Sequence, residues 1–412
     1  MNSLPSQQVN EQRLWQRHQI MAGFGATSKG GVNRQALSRE DVQARKQLVD
    51  WGAALGLLAS HDPAGNLFLK LQGVDPDETP LLCGSHLDSQ PTGGKFDGVY
   101  GVLAALEAVQ AIVKVGRPRR SIEVVAWMNE EGSRFAPGMM GSAVFTGARS
   151  LGDILDVKDE LGITVRQALN DVFEQTSDIP KLPLGRKVRA YIEAHIEQGP
   201  VLERGHATVG IVTGIQGKCT FRVRVIGEAA HAGTAERAER RDALAASVAI
   251  IAALTECIYD KHDAVKFTIG RLLVTPNAPS VVPGEVNFWI DLRHPDSGTL
   301  RGLADSIEPV CRERAGPCVV EVTEISRAMP STFPPEICAC IRAAASRLGV
   351  SFRDIYSAAG HDAYYLNRIC PTAMLFVPCH LGITHNEAES ATPSDLAAGA
   401  KVLADVLAEL AE

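Results

Sequence analysis

The sequence predicts an α/β protein: a large domain whose buried strands feed a polar rim, interrupted by a smaller two-layer α+β module. Three observations lead there. The apolar runs Thr79 to Cys83, Ser121 to Met128 and Ala373 to Val377 read as buried strands, Val188 to Ile196 alternates as a strand, and chemistry-bearing residues follow or close each of them. A long apolar helix, Val99 to Val113, separates the first two strands, as a crossover in an open sheet would. Between them and the last strand the pattern changes to alternating strands and amphipathic helices.

Taken in order, the start from Met1 to Gln19 is polar and becomes an amphipathic helix around Leu14, Trp15 and Ile20. The strand Thr79 to Cys83 delivers His86 to its carboxyl end, and Asp97 stands at the start of the apolar helix. Strand ends facing helix starts are where open α/β sheets place ligands. Ser121 to Met128 ends at Glu130 and Glu131 in the same manner, and Val188 to Ile196 closes with His195-Ile196-Glu197-Gln198. Strand Cys219 to Val225, helix Arg241 to Tyr259, strands Val265 to Val274 and Glu285 to Leu292, helix Thr299 to Glu313 and strand Cys318 to Val322 follow. That β-α-β-β-α-β order is a small module inserted in the larger domain. The chain returns through Pro334-Pro335 and the helix Ile337 to Leu348 to the strand Ala373 to Val377 and His385.

At 412 residues and 45% hydrophobic the chain exceeds the usual size of one domain, so two are expected. A net charge of -7, spread without acidic or basic blocks, argues against nucleic acid and membrane-surface partners and for a small-molecule substrate. No early apolar run is long enough for a signal peptide or a membrane span. Nine scattered cysteines suit a reduced, cytoplasmic protein, and Cys338-Ala339-Cys340 lies in a helical pattern with tighter spacing than a zinc pair, so it is read as core packing.

His86, Asp97, Glu131, His195 and His385 are the donor types of hydrolytic metal sites. Five protein ligands are too many for one catalytic ion that keeps a position open for water, and suit two ions sharing a carboxylate. A dinuclear metal-dependent hydrolase is the reading, with zinc, manganese, nickel and cobalt equally acceptable to these donors.

The stretches Gly84-Ser85-His86-Leu87-Asp88-Ser89-Gln90-Pro91-Thr92-Gly93-Gly94-Lys95-Phe96-Asp97-Gly98, Asn129-Glu130-Glu131-Gly132-Ser133-Arg134-Phe135, His195-Ile196-Glu197-Gln198-Gly199-Pro200, His231-Ala232-Gly233-Thr234 and Gly360-His361-Asp362-Ala363 carry a resemblance. From Val9 to the last helix, the chain resembles the hydantoinase/carbamoylase family of amidases, a branch of the dinuclear aminoacylase and carboxypeptidase-like superfamily. The resemblance implies a large aminopeptidase-like catalytic domain, residues 1–213 and 330–412, holding two divalent ions per subunit. It implies that 214–329 form a lid and dimerisation domain, giving a homodimer. Asp97 would bridge the ions, with His86 and His195 at one and Glu131 and His385 at the other; Glu130 would be the general base. Asp88 would stand behind His86 and orient it. Gln198 would contact a ureido group and Gly360 let the backbone approach the ligand, while His361 is as well explained structurally.

The insert carries its own polar constellation, His231, Arg240, Asn277 and Arg293. By resemblance Asn277 and Arg293 bind the substrate carboxylate, Arg293 through its two-pronged guanidinium, and His231 polarises the scissile carbonyl, often from the other subunit. Two departures stand out: Ala235-Glu236-Arg237 where the family usually has Thr-Pro-Met, and Pro378-Cys379-His380-Leu381 where a small polar residue commonly follows the proline. Neither falls on an expected ligand. The implied activity is hydrolysis of the carbamoyl C–N bond of an N-carbamoyl-L-amino acid or related ureido acid, giving ammonia, carbon dioxide and the free amino acid. Allantoate or ureidoglycolate hydrolysis is a near variant. A metallopeptidase or deacylase is disfavoured by His195, where those branches generally place an acid, and a binding protein without turnover by the retention of Glu130 and all five ligands.

Overall fold

The structure is a computed structural model that describes residues 4–412, so the first three residues of the polar start lie outside the described residues. The chain forms two compact units, one comprising the chain up to Thr213 together with Thr332–Glu412, the other Gly214–Ser331.

In the larger unit a nine-stranded mixed sheet is built around four adjacent parallel strands, in the order Ile122–Trp127, Leu81–His86, Tyr191–Ile196 and Thr372–Val377. Every residue of these four strands is buried, including the polar Glu123, Glu193 and His195, so Tyr191–Ile196, which alternates in sequence, has no exposed face. Antiparallel strands extend the sheet: Leu67–Leu71 and Leu58–His61 beyond Ile122–Trp127, and Val209–Ile215 beyond Thr372–Val377. The helix Val99–Val115 is buried along nearly its whole length, packed against both the sheet and the helix Pro393–Leu410. Gly101 seats it on the sheet, since a Cβ there would stand 2.3 Å from the Ala194 carbonyl oxygen.

The N-terminal helix Glu11–Ala22 is capped by Asn10 and buries Leu14 and Met21, while Ile20 is 49% exposed, outside the apolar face expected for it. It is held by charge as well: Glu107, fully buried in the central helix, meets Arg13 and Arg17. Cys338 is buried in the helix Pro335–Arg347, as core packing requires, whereas Cys340 is only half-buried there. No helix among the described residues is long and apolar enough to cross a membrane.

In the smaller unit a four-stranded antiparallel sheet runs Val319–Ala328, Gly217–Ile226, Glu285–His294, Lys266–Thr275, with helices Ala243–Ile258 and Ser297–Arg314 against it. Period-two alternation places Cys219, Phe221, Val223 and Val225 of one strand, and Val286, Phe288, Ile290 and Leu292 of its neighbour, in one core under the helices. A short ladder, Ala230–His231 with Val281–Val282, stands apart from this sheet.

Candidate metal centre

The carboxyl ends of the four parallel strands lie on one rim, and each delivers a polar side chain there. His86 is the last residue of its strand. Its Nδ1 lies 2.9 Å from the Asp88 carbonyl oxygen, which turns Nε2 toward Asp97 Oδ1 at 4.0 Å and Glu130 Oε2 at 3.5 Å. Gly98 has φ 65, and a Cβ there would lie 2.3 Å from the His86 ring, so only glycine fits on both counts. His195 follows the same scheme: Nδ1 lies 3.0 Å from the Ile196 carbonyl oxygen and Nε2 3.3 Å from Asp97 Oδ1.

The other oxygen of Asp97 faces His385, whose Nε2 is 3.3 Å from Oδ2 and 3.2 Å from Glu131 Oε2. Two groups of donors therefore share Asp97: His86, Asp97 and His195, and Asp97, Glu131 and His385. The turn after Ile122–Trp127 separates the two glutamates. Asn129 takes φ 54, which asparagine tolerates, and its side-chain amide donates to the Phe135 carbonyl at 2.7 Å.

These residues fit divalent cations. The outer nitrogens of His86 and His195 are engaged with carbonyls, so each ring's Nε2 is left as an inward acceptor, the arrangement of metal-bound imidazoles. Anionic groups also crowd the site. Burial first, then the charges of Asp362, Glu131, Asp88 and Asp97, push the Glu130 carboxyl well above the usual carboxylate range. Burial, with Glu131 next, pushes Asp88 up to about 8. Burial alone would raise Asp97 too, but its hydrogen bond to His385 and the nearby His195 and His86 outweigh that and hold it below the usual range. Hydrogen bonds to Asp97 and then Glu131 raise His385 to about 10. A crowd of carboxylates of this kind is what bound cations would balance.

Asp88 holds the His86 ring, through its backbone. The Asp88 carboxylate does not hydrogen-bond His86, lying 3.6 Å from Nδ1; the backbone carbonyl does so instead. The Asp88 side chain accepts the backbone N–H groups of Glu130 at 3.3 Å and Glu131 at 3.2 Å, and so braces the acidic turn. Gln198 donates to Asp97 Oδ2 at 3.0 Å, which places its amide on the shared carboxylate. At Gly360 a Cβ would meet only Met139, at 3.5 Å, so packing within the protein does not require glycine there.

His231, Asn277 and Arg293 belong to the smaller unit. His231 is exposed, its Nδ1 accepting the Gly233 N–H at 3.1 Å; Asn277 is exposed with φ 57. Arg293 already engages a carboxylate of its own strand, with Nε 2.7 Å and Nη2 3.1 Å from the two oxygens of Asp291. A substrate carboxylate would have to share or displace that partner. Arg240 binds the carbonyls of Ala235 and Ala232 at 3.0 and 2.7 Å, so it braces the loop carrying the Ala235-Glu236-Arg237 departure.

Two acids went unread in the sequence. Glu193 lies behind His195 with His361 as a further buried group, its oxygens taken by Ser85 Oγ at 2.7 Å and the Ala363 N–H at 3.0 Å. His361 packs edge-on against His195 at 4.5 Å and meets Ser357 Oγ at 3.0 Å, a supporting position. An acid inside an otherwise apolar strand was the available signal for Glu193. Glu389 lies under Asp97, accepting its N–H and that of Phe96.

Residues 82–409 match the family model of peptidase family M20/M25/M40. The chain is 37% identical over 413 residues to an N-carbamoyl-L-amino-acid amidohydrolase of Rhizobium meliloti, covering 99% of this chain and 98% of that protein. It is 33% identical over 402 residues to an allantoate amidohydrolase of Bacillus subtilis, covering 95% of each. A solved amidase of the hydantoinase/carbamoylase family from Burkholderia multivorans superposes with a TM-score of 0.92 at 40% identity, over 98% of both chains. With four strand ends meeting around one shared aspartate, and likeness along its full length, this chain belongs to peptidase family M20/M25/M40 and, within it, to the hydantoinase/carbamoylase amidases.

Proposed function

We propose that the chain hydrolyses the carbamoyl C–N bond of an N-carbamoyl-L-amino acid, giving ammonia, carbon dioxide and the free amino acid. The observation that supports this most is the pair of donor groups sharing Asp97, with Glu130 beside them as an acid outside both groups. The groups would hold two divalent ions, zinc, manganese, nickel or cobalt: His86, Asp97 and His195 one, Asp97, Glu131 and His385 the other. Bound there, such ions supply Lewis acidity that lowers the pKa of water and polarises a carbonyl.

The chain's own residues manage the protons. Glu130 accepts a proton from the water that attacks the ureido carbon, and hands it to the nitrogen that leaves as ammonia. The other product, a carbamate, loses carbon dioxide to free the amine. Asp88, by fixing the backbone of both glutamates, keeps base and ligand on their separate sides. The proposal gives the ureido group to Gln198 and the backbone at Gly360, the substrate carboxylate to Asn277 and Arg293, and the scissile carbonyl to His231. It includes a homodimer through Gly214–Ser331, on whose surface Val248, Leu272 and Leu273 are exposed.

Ammonia release from a panel of carbamoyl amino acids, N-carbamoyl-β-alanine and allantoate, with each metal supplied, tests the reading. Turnover of carbamoyl amino acids is expected. Preference for allantoate would favour the second reading, which likeness to the Bacillus subtilis enzyme supports, and inertness on the whole panel would contradict both.

A further inference from the structure

One loop does two jobs at the metal centre. It presents His385 to Asp97 and Glu131, and four residues later turns Glu389 back beneath the loop that carries Asp97. Glu389 is 5% exposed, and its Oε1 accepts two consecutive backbone N–H groups, Phe96 at 2.8 Å and Asp97 at 3.1 Å. Its own N–H donates to the Asn386 carbonyl at 3.0 Å, which closes the loop between the histidine and the glutamate. The opposite side of this contact is shaped to admit it. A Cβ on Gly94 would lie 2.0 Å from the Glu389 carboxyl carbon and 2.1 and 2.3 Å from its oxygens, so the second glycine of Gly93-Gly94 leaves the room that the carboxylate fills.

We propose that Glu389 is the positioning residue for Asp97: by accepting the Phe96 and Asp97 N–H groups it ties the shared carboxylate to the loop of His385 and fixes the spacing of the two donor groups. The inference rests on the two-ion reading above. Its physical basis is that a shared carboxylate must hold both oxygens in register with two separate donor groups. Asp97 stands in a connection just ahead of the helix Val99–Val115, not within a ladder, so its N–H depends on a side-chain acceptor. Removing the carboxylate leaves two buried N–H groups without partners and lets Asp97 shift relative to His385. Partners of this kind, one step removed from the ion, typically alter metal affinity or activity by about ten- to a hundred-fold.

The test is cobalt titration of the chelator-stripped, full-length protein, following calorimetry and the visible cobalt spectrum, with kcat and KM measured on the reloaded enzyme. Wild type should take up two ions. Glu389→Ala should bind cobalt about ten- to a hundred-fold more weakly, with an altered spectrum, a fall in kcat and little change in KM. Glu389→Gln keeps an acceptor oxygen of the same reach and should restore most of the affinity. If Glu389→Ala does not fold, Glu389→Asp takes its place: one methylene shorter, it cannot reach both N–H groups, and weaker binding is expected. Wild-type affinity and spectrum in folded Glu389→Ala or Glu389→Asp overturn the proposal even if the melting temperature drops, as does a Glu389→Gln that behaves like the truncations. A wild type that takes up fewer than two ions contradicts the two-ion reading and the inference with it; two ions in wild type and unchanged affinity in the variants contradict the inference alone.

Discussion

Individual side chains in this protein are set by what lies immediately behind them, and their roles can be tested one at a time. Glu130→Gln keeps the shape of the site while removing the proton acceptor. It should lower kcat roughly a hundred- to ten-thousand-fold while cobalt binding stays intact, and an unchanged kcat would remove Glu130 from its role. A second expectation lies away from the metals. His61 is buried at the end of the strand Leu58–His61, where burial, and then the Arg45 charge, lower its pKa from 6.5 to about 4. The unfolded chain then binds the proton more readily across that window, so His61 contributes stability above pH 6.5 that is lost as pH falls toward 4, by at most about 3 kcal/mol. Urea unfolding of metal-stripped protein between pH 7 and 4.5 should show a smaller acid loss in His61→Leu than in wild type; equal losses would refute it. At this scale the five residues that the structure brings together were legible in the sequence because four follow or close a strand pattern and Asp97 stands at the start of an apolar helix. Glu389 was not, because a carboxylate that binds backbone N–H groups leaves no periodic trace. The engagement of Arg293 by Asp291 was readable, since residues two apart on a strand share a face.

Elements were legible in kind and order, and their limits shifted for local reasons. The strand expected at Thr79 to Cys83 is Leu81–His86. Pro80 lacks the N–H a ladder needs, and Gly84, where a Cβ would stand 2.0 Å from the Val125 carbonyl oxygen, lets the pairing run on to His86 itself. The strand expected at Cys318 to Val322 extends as Val319–Ala328, because its mostly polar second half is an exposed edge paired to Gly217–Ile226 and carries no apolar signal. The N-terminal helix gives the clearest energetic expectation. Glu107 accepts Arg13 Nε at 2.9 Å, Arg17 Nη1 at 3.2 Å and the Asn10 N–H at 2.8 Å with no exposure of its own. Glu107→Ala would strand a buried guanidinium, and should destabilise the protein by about 3–5 kcal/mol in denaturant unfolding. A change below about 1 kcal/mol, the level of an exposed pair, would show that the helix is held by its apolar face alone.

At the scale of the whole molecule, the larger unit is discontinuous in sequence yet continuous in its sheet: Thr372–Val377 inserts between Tyr191–Ile196 and Val209–Ile215, bringing the His385 loop to strand ends formed nearly two hundred residues earlier. Strand pairing across such separations leaves no local mark; the donor types did, which is why the metal centre was more legible than the sheet order. The central claim is that one aspartate is held between two cations. Anomalous diffraction from crystals of the manganese- or zinc-loaded protein tests it most directly. Two peaks on either side of Asp97, about 3.5–4 Å apart, one within reach of His86 and His195 and the other of Glu131 and His385, are predicted. A single peak, or two that do not share Asp97, would contradict the account.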